Sequence, residues 1–452
     1  MDKLEETNFF RDVFGIHKDN SNERAVTRGE IIAIAGDTGA NGAPHLHFEL
    51  RENGIPGIPI DPYGWQNSTK SDPYTAHPNA PHVWRAFTEW GSPWPAGGTP
   101  QGIRVDPKGN VWFDQEAGVC AIGRLEPAED KNTFTFWTVS PDPSFTRGGI
   151  DLDLDGNGNV RNVWFTYGQG EIRRLNPTTN EMTIWTTPGF NPSIAFDKKS
   201  GNVYFPDNNG NSIGRIDPIK NEYTRWAIPT PGSGPNTIKV ASGGPFRGHV
   251  FFTERNSHKI AKLDPSDPST GKFIEWGLPT FGEPFGLFLD DNGNVWFTER
   301  LGNRIGMLNP RKNELLEFST PTDSAEPRGI TKSAGNIISF VEFAGNKLGG
   351  FIPGKPTGQP LSPVPTPVKP TSTTLMPSPA FPQSTSTFKV APSHTTTVPR
   401  LTGNNRFLEA DLPNATSRPF AIDVWKPDER NPHASSLYFT QGANRIGRLT
   451  LW

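Results

Sequence analysis

Residues 272–307 read KFIEWGLPTFGEPFGLFLDDNGNVWFTERLGNRIGM. Four short β-prone runs stand here between Pro, Gly and Asn turns. They are Phe273-Ile274-Glu275-Trp276, the apolar run Leu287-Phe288-Leu289, Val295-Trp296-Phe297 and Ile305-Gly306-Met307. Working outward, the same set recurs along the chain. The aromatic third run, for example, appears seven times, as Val111-Trp112-Phe113, Val163-Trp164-Phe165, Val203-Tyr204-Phe205, Val250-Phe251-Phe252, Val295-Trp296-Phe297, Ile338-Ser339-Phe340 and Leu437-Tyr438-Phe439. A repeat of roughly 40 to 50 residues built from four short strands is the signature of a β-propeller. The expected fold class is therefore all-β: a seven-bladed propeller over residues 86–452, with a small N-terminal β fragment over 1–66 and a linker over 67–85. In chain order the strands read outer, inner, second, third. The first outer strand, Phe87 to Trp90, should therefore complete the last blade and leave the ring no free edge.

Composition agrees. The 452 residues are only 33% hydrophobic but include 47 Gly, 46 Pro and 13 Trp, a balance that favours turns and aromatic packing over long helices. The net charge of −3 provides no general basic surface for phosphates, so no nucleic-acid partner is expected. No apolar run is long enough for a membrane span. Cys120 is the single cysteine, which excludes an internal disulfide and a cysteine metal cluster, and it reads as a buried thiol. Residues 354–400, rich in Pro, Ser and Thr, cannot bury a core and are expected to form a disordered insertion between the sixth and seventh blades. Such segments suit an extracytoplasmic or secreted protein, although the first residues carry no signal sequence. The chain is expected to be a monomer.

In a four-stranded antiparallel blade, the loop entering the inner strand and the loop leaving the second strand emerge at the same end. On that geometry Asp207, Glu254, Glu283, Glu299, Glu326 and Glu342 are expected to form an acidic arc around one mouth, able to hold magnesium or a cationic ligand.

The propeller sequence resembles the virginiamycin B (streptogramin) lyase family. The residues that carry the resemblance are Glu326-Pro327-Arg328-Gly329-Ile330-Thr331, matching that family's Glu-Pro-His-Gly-Ile-Thr, together with Glu342. The resemblance implies a carbon–oxygen lyase that opens a macrocyclic depsipeptide lactone by elimination, using magnesium and histidines at the mouth. This chain departs at both histidine positions, which fall at Arg328 and Phe285. Neither side chain can exchange a proton near neutral pH. The leading expectation is therefore a non-catalytic or weakly catalytic module that binds a small peptide, depsipeptide or glycan, with the lyase as the alternative.

The N-terminal stretch resembles the C-terminal half of lysostaphin-type zinc endopeptidases through Gly36-Asp37-Thr38-Gly39, Pro44-His45-Leu46-His47-Phe48 and Asp61-Pro62-Tyr63. The resemblance implies His47 as a zinc ligand and His45, with His17, as residues working on the metal-bound water. The family's earlier His-x-x-x-Asp motif has no counterpart before His45, and one protein ligand does not hold catalytic zinc. A zinc peptidase would need a segment upstream of Met1.

Overall fold

In the computed structural model the chain divides into two units, 1–82 and 83–452. The structure describes Trp84 to Leu451 apart from 94–97, 117–119, 129–131, 141–148, 169, 267–270, 334–335, 354–358, 361–364, 380–384, 391–392, 396–399, 403–406, 414–416, 427–434 and 443. Before Trp84 it describes the backbone of four short strands. In that first unit Ala33–Gly36 pairs antiparallel with His45–Phe48, and Leu50–Glu52 with Ile58–Ile60.

The second unit holds seven antiparallel sheets, each a four-stranded blade with one further edge strand. Blades 1 to 5 occupy 99–140, 150–186, 195–227, 235–277 and 284–319. Blade 6 is Pro327–Lys332, Ile338–Glu342, Lys347–Phe351 and Phe407–Asp411. Blade 7 is Pro419–Trp425, Ser435–Gln441, Arg445–Leu451 and Trp84–Gly91. The expected closure is present: Trp90 pairs with Ile446 and Phe87 with Leu449.

The blades pack through the residues that mark the repeat. Trp276 of blade 4 is buried with Leu287, Val295 and Phe297 of blade 5. Trp112 and Trp137 stack at 5.5 Å. Among the described residues the tryptophans are thus mostly core, as their recurrence in strands implies. The Gly of the Ile-Gly-Arg-like run has a packing reason: a Cβ on Gly306 would collide with the ring of Phe297 on the neighbouring strand. Cys120 is buried and free.

First strands line the axis, where charges from four blades meet. Arg104 Nε donates to Asp151 Oδ1 at 3.0 Å, and Asp423 Oδ2 accepts from the Val105 amide at 2.8 Å. Burial, followed by the Arg104 charge, lowers the Lys239 ammonium to about 8, against the pull of Asp151 and Asp423. Arg104, Asp151, Lys239 and Asp423 thus form a buried charge cluster between the first strands.

The Pro/Ser/Thr-rich segment departs from expectation in place and in structure. Its flanking strands, Lys347–Phe351 and Phe407–Asp411, pair with each other, so it lies inside blade 6, between the third and outer strands. Its described parts are short edge strands rather than disorder. Gln359–Pro360 pairs with the outer strand of blade 5, Pro365–Val368 with blade 4, Thr371–Thr374 with blade 3, and Ser378–Pro379 with blade 2. Thr385–Val390 then pairs with blade 1, Ser393–Thr395 with blade 7, and Arg400–Thr402 with blade 6. The segment is a belt that visits every blade once, in reverse order. Edge pairing needs only backbone hydrogen bonds, and proline is tolerated on an edge strand; Val368, Leu375, Phe388 and Val390 add apolar contacts to the blade cores.

Candidate functional site

The mouth is built by a local device repeated from blade to blade. The first strands of blades 5, 6 and 7 open with Glu283-Pro284-Phe285, Glu326-Pro327-Arg328 and Arg418-Pro419-Phe420. Each then shifts register against its second strand, as between Pro327 and Ile330, and such bulges re-aim side chains. A threonine on the second strand pins the arrangement. Thr298 Oγ1 accepts from the Gly286 amide at 2.8 Å and donates to the Arg328 carbonyl of the next blade at 2.7 Å. Thr253 donates likewise to the Phe285 carbonyl, and Thr440 to that of Gln101. The blades approach so closely here that a Cβ on Gly286 would strike the Arg328 carbonyl oxygen.

Glu283, Glu326 and Arg418 all take left-handed backbone, with φ of 55°, 48° and 42°. For a non-glycine residue this costs on the order of 1–2 kcal/mol. The conformation is held by backbone bonds, from the Arg300 amide to the Glu283 carbonyl at 3.1 Å and from the Phe343 amide to the Glu326 carbonyl at 3.2 Å. The reward is a chain of alternating charge across three blades. Glu283 accepts from Arg255 through one oxygen and from Arg300 through the other. Glu326 Oε2 accepts from Arg300 at 3.4 Å and from Arg328 at 3.0 Å.

Arg328 sits among three rings. Its guanidinium carbon lies 3.3 Å from the Phe343 centroid, 5.2 Å from Phe420 and 5.6 Å from Phe285, positions suited to cation–π attraction. Burial lowers the Arg328 pKa, Glu326 opposes this, and the Arg300 and Arg255 charges add to the lowering. At the same end, Arg418 lies 5.8 Å from Phe343.

The expected acidic arc is therefore only partly assembled. Phe285, Arg328, Glu283 and Glu326 meet at the mouth, whereas Asp207, Glu254, Glu299 and Glu342 do not. All four of the latter are buried within their own blades. Glu254 shares a hydrogen bond with Glu275, Glu299 with Glu317, and Glu342 with Glu409. Each pair is tied to the third strand by a cation, Lys259, Arg304 or Lys347. Burial first, and then the second carboxylate, pushes Glu254, Glu299 and Glu342 up, each to about 8, so each pair holds a proton at neutral pH. Asp207 takes the same place in blade 3, accepting from Ser212 and facing Arg225 at 3.6 Å.

The error is one of parity. Successive strand side chains alternate faces, so a slip of one residue exchanges core for mouth. The residues that reach the mouth stand one position later, Arg255, Arg300 and Phe343, and sequence reasoning missed them together with Arg418. Counting alternate positions from the buried Phe252, Phe297 and Phe340 would have put the glutamates on the core face.

His258 lies nearer this site than its turn position suggests. Its Nδ1 accepts from the Glu283 amide at 3.1 Å, and its ring lies 3.7 Å from that of Phe281. His45 and His47 lie on one short strand, His45–Phe48, in the first unit. His17 lies outside the described residues. Among the described residues, no group of three or more His, Cys, Asp or Glu could hold a metal ion.

Fold and mouth together define the class: a seven-bladed β-propeller with a composite mouth on blades 4 to 7. Comparison with known proteins is more specific. Residues 155–355 match the Virginiamycin B lyase family, and the propeller is virginiamycin B lyase-like. The virginiamycin B lyase of Nocardia farcinica (strain IFM 10152) is 27% identical over 202 residues, which cover 44% of this chain and 64% of that relative. The aligned part thus spans less than two thirds of the relative's length. Among solved structures, selenomethionine-substituted virginiamycin B lyase from Staphylococcus aureus superposes with a TM-score of 0.57 at 24% identity, covering 81% of this chain and 99% of that one. A catalytically inactive variant of the S. aureus lyase with quinupristin gives 0.57 at 23%, covering 81% and 99%. A streptogramin B lyase structure gives 0.59 at 23%, covering 81% and 98%. At these identities the structural likeness establishes the fold.

Proposed function

We propose that the propeller is a non-catalytic module that binds a small peptide, depsipeptide or glycan at the mouth centred on Arg328, rather than a carbon–oxygen lyase. The observation that carries this reading is the engagement of Arg328, which stands where the resemblance calls for a histidine. Its guanidinium is hydrogen-bonded to Glu326 and stacked on Phe343. Elimination needs one group that takes a proton near neutral pH and another that delivers one to the leaving oxygen. Arginine stays charged, and Phe285 has no proton to exchange.

His258 does not fill the gap. A neutral imidazole has one accepting nitrogen, and here that nitrogen is Nδ1, which already accepts from the Glu283 amide. Taking a further proton would break the bond that positions the loop. Magnesium, which the resemblance implies, does not fit the donors present either. Both mouth carboxylates are spent on guanidinium groups, so a dication would displace cations already bound.

Quinupristin, the ligand solved with the inactive S. aureus variant, is a suitable probe. Incubated with the natural chain in magnesium buffer, it should stay cyclic. Chromatography is the readout, because ring opening by elimination leaves the mass unchanged. A linear product that accumulates in proportion to protein would overturn this reading.

A further inference from the structure

The mouth carries more positive than negative charge, contrary to what its glutamates suggest in the sequence. Arg255, Arg300 and Arg328 share two carboxylates, Glu283 and Glu326, and Arg418 lies near Phe343 at the same end. Among the described residues no carboxylate pairs with Arg418. The like charges of Arg300 and Arg255 also bear on Arg328. A bound anion would answer both features by neutralising the excess positive charge.

The surroundings are apolar as well as cationic. Phe285 and Phe420 meet edge to face at 5.9 Å beside Arg328. On the rim, Phe281 and Leu301 flank the Glu283 loop and are 73% and 55% exposed. Together with the rings around Arg328 they give the mouth an apolar component beside its charges.

We propose that the mouth receives a small carboxylate with an aromatic or apolar body, the carboxylate going to Arg328 and Arg418 and the body to the phenylalanines. The proposal rests on the binding reading above and names the chemical class that reading leaves open. Guanidinium is the side chain best shaped for a carboxylate, and an enclosed aromatic wall weakens the competition from water.

The test uses the full chain, titrated calorimetrically with N-acetyl-phenylalanine and, separately, with its uncharged amide. The acid should bind at least about tenfold more tightly than the amide, and added salt should weaken it. Arg328→Gln should abolish the preference. The exposed Arg418→Gln should reduce it with an unchanged melting temperature, which separates binding from folding. Equal binding of acid and amide would overturn the proposal while leaving a binding mouth in place. Binding of neither would overturn it too, and the quinupristin experiment would then decide separately whether the non-catalytic reading stands.

Discussion

Glu342 shows how one residue acquires a role that its identity alone does not reveal. It is fully buried against Glu409, and Lys347 supplies a single positive charge between them. In blade 7 the equivalent position is Gln441, whose amide donates to Glu89 at 3.0 Å while Arg445 takes the place of Lys347. The chain thus places a permanent amide donor against the outer-strand carboxylate in blade 7 and a protonated acid there in three other blades. A carboxyl raised from the ordinary range to about 8 binds its proton more tightly when folded than when unfolded. Its contribution is fully present below the ordinary carboxylate pKa and is lost as pH rises through about 8. Glu342→Gln should therefore leave stability near pH 4 within about 0.5 kcal/mol and raise it progressively above that, by about 1 kcal/mol or more at pH 8. Denaturant unfolding across that range is the measurement, and a variant less stable at alkaline pH would show that Glu342 is ionised in the fold.

At the scale of elements, the belt over residues 359–402 is the feature least legible in the sequence. Some of it is exposed, as Thr371 to Thr374 are, but Val368, Leu375, Phe388 and Val390 pack against the blade cores. What composition cannot register is a ring of outer strands offering unpaired backbone groups, the natural template for an extended segment. The belt should accordingly keep blade edges from pairing with those of other molecules. Replacing it by a hairpin of about 2–5 residues would join Lys347–Phe351 directly to Phe407–Asp411, the connection the other blades use. The shortened chain should still fold. Compared with the natural chain it should self-associate more by light scattering and exchange backbone amides faster in outer strands such as Glu222–Ala227. Unchanged scattering and unchanged exchange would mean that the belt protects nothing.

For the whole molecule, the sevenfold repeat, the ring closure and the structural use of tryptophan could all be read from the spacing of aromatic and glycine positions, because packing between blades imposes that spacing. The mouth was half legible. Phe285, Arg328, Glu283 and Glu326 follow from the strand-entry loops, while Arg255, Arg300, Phe343 and Arg418 depend on side-chain parity and on contacts between blades that no linear motif encodes. The consequence is a reversal of sign, from an acidic arc open to a dication to a mouth whose carboxylates are already balanced by arginine. Calorimetric titration of the full chain with magnesium tests that reversal most directly. The account predicts no saturable uptake in the natural protein. One magnesium bound per chain, with the heat lost in Glu326→Gln, would contradict it.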